Sequence, residues 1–165
     1  MSFFKNIFRG KQENTEEIAI LTNGKLVDIS QVPDQVFSTR MMGDGFAMDT
    51  IDGKIFSPVA GKVEVVFQTK HAVAITSNDG REILIHLGVD TVNLDGKGFE
   101  VFVQVGQEVK VGDKLVDMDV NFVEKNAKSS MPIVVFTNLN EDEAVEINEG
   151  NATVGELNRI KIIKK

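Results

Sequence analysis

The chain has no cysteine, no tryptophan and no tyrosine, and only three prolines and two histidines among its 165 residues. Each absence removes a class of chemistry. Without cysteine there is no disulfide framework, no zinc finger and no thiol nucleophile, which accords with a cytoplasmic location. No apolar run approaches the ~18 residues of a membrane span. The first residues lack the apolar core of a signal peptide. A net charge of −7 argues against a nucleic-acid binder, which needs a basic face for phosphates. There is no Gly-x-Ser-x-Gly elbow and no Walker loop. Covalent chemistry near neutral pH therefore falls to His71 and His86. Imidazole is the one side chain whose ordinary pKa lies there, and its neutral form is a nucleophile.

What is present is ordinary for a globular domain: 42% apolar and 26% charged residues, in a length that suits one folded unit. The N-terminus differs. Residues 1–12 carry Lys5, Arg9 and Lys11 and no acid, so the rest of the chain holds all 25 acids. Phe3, Phe4, Ile7 and Phe8 recur at helical spacing. Residues 1–17 are expected to be a flexible N-terminal segment. Its two readings are an amphipathic helix that touches an anionic membrane surface and a frayed terminus. Residues 18–165 are expected to form a single domain.

From Ile18 onward the pattern is strand, turn, strand. Val63, Val65, Phe67, Thr69, His71, Val73 and Ile75 alternate with their neighbours, which predicts one long, bent strand. Ser77-Asn-Asp-Gly80 predicts a tight hairpin with Asp79-Gly80 as its loop. Further strands are expected at 81–87, 99–105, 114–119, 132–137 and 157–163. Residues 120–128 are expected to form a short helix capped by Asn121. Asn23-Gly-Lys-Leu-Val-Asp-Ile29 echoes Ala60-Gly-Lys-Val-Glu-Val-Val66, as a duplicated hairpin would. The fold class is thus all-β: an antiparallel sandwich or barrel of the barrel-sandwich hybrid type, with little helix.

Alternation places Thr69 and His71 on one strand face. With Asn78 facing Arg81, His71 falls near Gly88 and His86 near Val73, so the imidazoles are diagonal neighbours. Two adjacent imidazoles suit phosphoryl transfer, one as nucleophile and one as donor to the phosphoryl oxygens. They also suit zinc, if an acid completes the ligand set. The apolar cluster Val36, Phe37, Met41, Met42 and Phe46 has two readings, a binding surface or ordinary core.

The chain resembles the glucose-type enzyme IIA domain of the bacterial phosphoenolpyruvate-dependent sugar phosphotransferase system over nearly everything after the N-terminal segment. The resemblance is carried by Val32-Pro-Asp-Gln-Val-Phe37, Met41-Met-Gly-Asp-Gly45, Ser57-Pro-Val-Ala-Gly61, Phe67-Gln-Thr-Lys-His71, Ile85-His-Leu-Gly-Val-Asp-Thr-Val92, Gly96-Lys-Gly-Phe99, Val105-Gly-Gln-Glu-Val-Lys-Val-Gly112 and Ala127-Lys-Ser129. It implies that His86 carries the phosphoryl group on Nε2, that His71 stabilises it and passes it on, and that Thr69 orients His71. Phe37, Met41, Met42, Phe67 and Val92 would form an apolar docking rim. Asp34 and Asp90 would meet a basic residue of the donor, the histidine-containing phosphocarrier protein. The acceptor would be a cysteine of an enzyme IIB domain of a sugar permease. No cofactor is required by this reading; zinc shared by His71, His86 and a partner's carboxylate is the one metal it allows. Regulation by phosphorylation state often accompanies transport in this family. The chain looks like a free-standing unit without fused B and C domains. Two departures, the absence of a proline in Ala19-Ile-Leu-Thr-Asn-Gly24 and Leu87 after His86, leave the sugar branch open.

Three rival readings exist. Ser57-Pro-Val-Ala-Gly-Lys-Val63 resembles the hairpins of biotinyl or lipoyl carriers, but no modifiable lysine stands in the required tripeptide. A zinc peptidase needs His-x-His, which is absent. A purely regulatory binding protein is compatible with the transport reading.

Overall fold

The computed structural model describes residues 17–165; the N-terminal segment Met1–Gln12 discussed above lies outside the described residues. Among the described residues thirteen strands, all paired antiparallel, form the fold. They are β1 (Gly24–Asp28), β2 (Asp44–Thr50), β3 (Lys54–Phe56), β4 (Gly61–Val66), β5 (Ala72–Ser77), β6 (Glu82–Val89), β7 (Phe99–Val101), β8 (Glu108–Val109), β9 (Lys114–Met118), β10 (Ser129–Phe136), β11 (Glu143–Ile147), β12 (Gly150–Ala152) and β13 (Ile160–Lys164). Two short helices, α1 (Gln35–Ser38) and α2 (Val120–Asn126), and two 3₁₀ turns, Ile29–Gln31 and Thr91–Leu94, complete it. The all-β sandwich expected from the sequence is the fold observed.

One large sheet runs in the order β12-β1-β2-β10-β6-β5-β4-β8, with β3-β9-β7 and β11-β13 as smaller sheets. The two echoing segments, β1 and β4, each stand third from the centre of the large sheet, on opposite halves. Their glycines explain the echo. A Cβ at Gly24 would lie 1.8 Å from the Asp49 carbonyl oxygen, and one at Gly61 would lie 2.2 Å from that of Thr76. Each strand approaches its neighbour so closely that only glycine fits.

Strand periodicity sorts side chains into two cores. Phe46, Met48, Ile75, Ile83, Ile85, Leu87, Val134 and Phe136 join the main core with Ile55, Leu115 and Met118 of the three-stranded sheet. On the opposite face, Val27, Ala47, Ile133 and Val135 pack under Ile29, Val32 and Phe37, which the loop after β1 folds over them. The central strands are therefore buried on both faces, which is why Pro132-Ile-Val-Val-Phe136 reads as an unbroken apolar run. Leu84 packs against this second core, and His86, two residues on, projects to the same side.

Several expectations need correction. The long strand over 63–76 is broken: residues 67–71 are a turn closed by Lys70 N–H to Phe67 C=O (2.8 Å) and Phe67 N–H to Ala72 C=O (3.1 Å). Thr69 and His71 thus belong to a loop, not to one strand face. Lys70 takes the left-handed conformation (φ 63°) that glycine or asparagine usually signals, so the turn has no marker in its composition. The β5–β6 hairpin has three loop residues, Asn78 to Gly80, because Ser77 N–H pairs with Arg81 C=O. The register moves by one, so His86 faces Ala72 instead of Val73. The cap of α2 is Asp119, whose carboxylate accepts from Phe122 N–H, and not Asn121. The strand expected over 99–105 ends at Val101. Gly43 leads directly into the central strand β2, which begins at Asp44.

Candidate functional site

The site sits where the second core meets the turn before β5. His86 lies on β6 between Ile133 of β10 and Ala72 of β5. The Phe37 ring, carried by α1, covers it at 4.9 Å between ring centroids. Asp34 starts α1, its carboxylate accepting from Val36 N–H, and so fixes where Phe37 falls. Burying Phe37 contributes about 2 kcal/mol of the stability that holds this cover in place.

His71 stands across from His86, with ring centroids 5.0 Å apart and planes at 81°. It is 5% exposed. Its Nδ1 is 2.7 Å from Thr69 Oγ1, and the Phe67 ring lies edge-on at 5.5 Å. Both expectations about contact therefore survive the change of register: the turn curls His71 back toward the sheet face that bears His86. The turn, not the strand ladder, brings the pair together.

The Nδ1 of His86 lies 2.9 Å from the Gly88 carbonyl oxygen. A carbonyl can only accept, so Nδ1 carries the proton and Nε2 keeps its lone pair in the neutral ring. Burial pushes the His86 pKa down to about 4, the neighbouring His71 adds to this, and the Gly88 carbonyl and the Asp34 charge oppose it. Burial also lowers His71, opposed by a hydrogen bond in which the Thr69 backbone carbonyl accepts from the ring. At pH 7 both rings are neutral.

This depression predicts a pH dependence of stability. Between about pH 6.5 and 4 the unfolded chain binds a proton at His86 that the folded chain does not. Stability is therefore fully present above the unfolded pKa and is lost as pH falls through this window, by on the order of 3 kcal/mol for His86. Urea denaturation at pH 7 and pH 4.5 of the parent and of His86→Gln checks this. The parent loses more stability than the variant, and equal losses in both contradict it.

Gly88 was not singled out from the sequence, yet it sets the tautomer of His86. Its φ is +83°, and a Cβ there would lie 2.5 Å from the Ser129 carbonyl oxygen and 2.6 Å from Thr91 Cγ2. A glycine inside a strand pattern was the available signal. Gly88→Ala is expected to cost roughly 2 kcal/mol or more in denaturant titration and to shift the His86 ring ¹⁵N resonances as the Nδ1 bond is disturbed. Unchanged ring resonances count against the assigned role. Thr91, also missed, ties the following 3₁₀ turn to β6 through Oγ1 to Leu87 C=O at 2.7 Å.

Of the remaining residues of the expected rim, Phe67 is in contact with His71. Phe67 and Met42 are about two-fifths exposed, Val92 is half exposed, and Met41 is the most open at 74%. Phe37 is buried and acts as the cover of His86. Phe46 belongs to the main core, so the apolar cluster divides between the two readings of it. Asp90 is exposed at the start of the Thr91–Leu94 turn. The loop bearing Met41 and Met42 is anchored by Arg40, whose guanidinium donates to Asp44 (2.8 Å) and Asp28 (3.2 Å); sequence reasoning did not find this anchor. Among the described residues no group of three or more His, Cys, Asp or Glu side chains could hold a metal ion, so His71 and His86 supply two ligands and no third. No helix among the described residues is long and apolar enough to cross a membrane.

A two-histidine site on an antiparallel sandwich, with the Nε2 lone pair of one neutral imidazole left free, has the geometry that group transfer needs. Comparison with known proteins specifies which kind. The chain matches the family of the phosphoenolpyruvate-dependent sugar phosphotransferase system, EIIA 1, over residues 16–142. It is 42% identical over 153 residues to the glucose-specific EIIA components of the phosphotransferase system from Staphylococcus aureus (strain MSSA476) and Staphylococcus epidermidis, covering 92% of this chain and of each relative. Its structure is similar to that of the glucose permease IIA from Mycoplasma capricolum, with a TM-score of 0.83 and 40% identity over 89% of this chain and 96% of that one. The chain belongs to the sugar phosphotransferase system EIIA 1 family.

Proposed function

We propose that this EIIA component is a cytoplasmic phosphocarrier in the uptake of glucose or a closely related sugar, and that residues 18–165 form its one working domain. His86 attacks the phosphoryl group of the donor, the phosphohistidine of the histidine-containing phosphocarrier protein. The bond from phosphorus to the donor nitrogen breaks as the bond to His86 Nε2 forms. The donor ring leaves neutral, and His86 keeps its Nδ1–H bond to Gly88 throughout. The acceptor, a cysteine thiolate of an enzyme IIB domain, then takes the phosphoryl group, and Nε2 recovers its lone pair.

The observation that carries this reading is the Nδ1–H to Gly88 carbonyl bond, which leaves Nε2 as the one free basic atom of His86. His71 takes the second role. With the Thr69 hydroxyl donating to Nδ1, the proton of the neutral ring sits on Nε2, where it donates to phosphoryl oxygens as charge spreads over them. Phe37, Met41, Met42, Phe67 and Val92 supply an apolar docking surface, and Asp34 and Asp90 the acids for a basic partner. Zinc held by His71 and His86 would need further ligands from a partner.

The test is the intact mass after incubation with phosphoenolpyruvate, enzyme I and the phosphocarrier protein. One acid-labile phosphoryl group is expected. No addition, with the donors shown to be charged, rejects the reading.

A further inference from the structure

The C-terminal end of α1 closes in a way that usually calls for glycine. Met41 N–H donates to the Val36 carbonyl (3.2 Å) and Arg40 N–H to the Phe37 carbonyl (3.0 Å), the paired bonds of a helix end whose next residue turns left-handed. That residue is Arg40, with φ +64°. Arginine carries a Cβ penalty there that glycine does not, so its side chain must supply what offsets it.

It does so through two acids. Nε donates to Asp44 Oδ1 at 2.8 Å, and Nη2 lies 3.2 Å from both oxygens of Asp28. These acids stand where β1 ends and β2 begins. Asp44 is itself fixed, since Oδ1 accepts from Gly45 N–H (2.9 Å) and Oδ2 from Val145 N–H of β11 (2.8 Å). An exposed ion pair alone contributes little, but a guanidinium fork held by two acids anchored in the sheet fixes a geometry. With four residues, α1 is too short to persist by itself. Asp34 holds its first turn and Arg40 its last. Phe37 lies between the two, its ring 4.9 Å from that of His86. Burial in the second core draws Phe37 inward without specifying a direction; the clamped backbone specifies it.

We propose that Arg40 is a positioning residue of the transfer site: through Asp28 and Asp44 it holds the turn after α1 so that Phe37 stays over His86 and the exposed Met41 and Met42 are presented to the phosphoryl donor. It supplies no atom to the reaction. The kinetic consequence rests on the phosphocarrier reading above; the placement of the Phe37 ring does not. A donor that meets a preformed surface loses less freedom on docking, which lowers KM and leaves the phosphoryl step untouched.

The test compares the parent with Arg40→Ala, Arg40→Lys and Arg40→Gly in two measurements: the nuclear Overhauser contact between the Phe37 and His86 ring protons, and the kinetics of transfer from charged phosphocarrier protein to this chain. In Arg40→Ala and Arg40→Gly the ring contact is expected to weaken, and KM to rise roughly three- to tenfold with kcat unchanged. Arg40→Lys keeps the charge without the fork and is expected to fall between them and the parent. Arg40→Gly loses the backbone penalty together with the anchor, so its Tm stays near the parent's while its ring contact and KM change. If Arg40 acted on stability alone, Tm would move and the ring contact and KM of the folded protein would not. A parent-like ring contact or a parent KM in both Arg40→Ala and Arg40→Gly overturns the inference and leaves the phosphocarrier reading intact. A parent protein that takes up no phosphoryl group overturns that reading, and the ring contact still decides whether Arg40 places Phe37.

Discussion

His86→Ala takes up no phosphoryl group under conditions in which the parent is fully charged, a loss of at least ~10⁴-fold in transfer rate. The loss follows from proton placement. His86 offers an Nε2 lone pair because its Nδ1–H is committed to the Gly88 carbonyl 2.9 Å away. His71 cannot substitute. Its Nδ1 is engaged by Thr69 Oγ1 at 2.7 Å, and in the proposed reading, with that hydroxyl as donor, its outer nitrogen bears the proton and offers no lone pair. Folding is expected to survive, since the ring lost is one that the fold holds neutral against its ordinary pKa. Circular dichroism and a denaturant titration check that point, and acid-labile phosphate in a folded His86→Ala rejects the assignment.

His71→Ala accepts a phosphoryl group but passes it on about 10²–10⁴-fold more slowly, the range typical of losing one positioned donor to a developing charge. Its ring faces His86 edge to plane at 5.0 Å, near enough for the proposed role of donor to oxygens bound to His86. The requirement is steeper in the second transfer, where a dianionic group must leave a buried nitrogen through a loose transition state. His71→Gln retains an amide donor and is expected to fall between the parent and the alanine variant. Single-turnover transfer to an enzyme IIB domain separates the cases, and parent-rate discharge by His71→Ala removes His71 from the mechanism.

The fold class and the two histidines were readable from the sequence because they depend on signals it carries directly. Alternation in β5, β6 and β10 marked the strands, glycine clusters marked the turns, and the scarcity of other reactive side chains left two imidazoles. The geometry between them was less legible. The polar and apolar residues of 67–71 continue the alternation by coincidence, and Lys70 makes the turn without glycine, so the loop was read as strand. The one-residue register change arose because Asp-Gly suits two-residue and three-residue hairpins alike. Local pattern carries no information on which carbonyl a ring nitrogen meets, so the role of Gly88 became visible only with the fold. The same holds for Arg40, whose partners Asp28 and Asp44 lie on different strands. Phe37 was recognised as a site residue, but its position as a buried cover depends on the second core, which forms only when the segment after β1 folds over Ile133 and Val135.

The most direct measurement is the ¹H–¹⁵N correlation of the two imidazole rings before and after charging with phosphoenolpyruvate, enzyme I and the phosphocarrier protein. The account predicts that His86 begins as a neutral ring protonated on Nδ1, keeps that proton after charging, and carries phosphorus on Nε2, with His71 unmodified. Phosphorus on Nδ1 of His86, or on either nitrogen of His71, would contradict it.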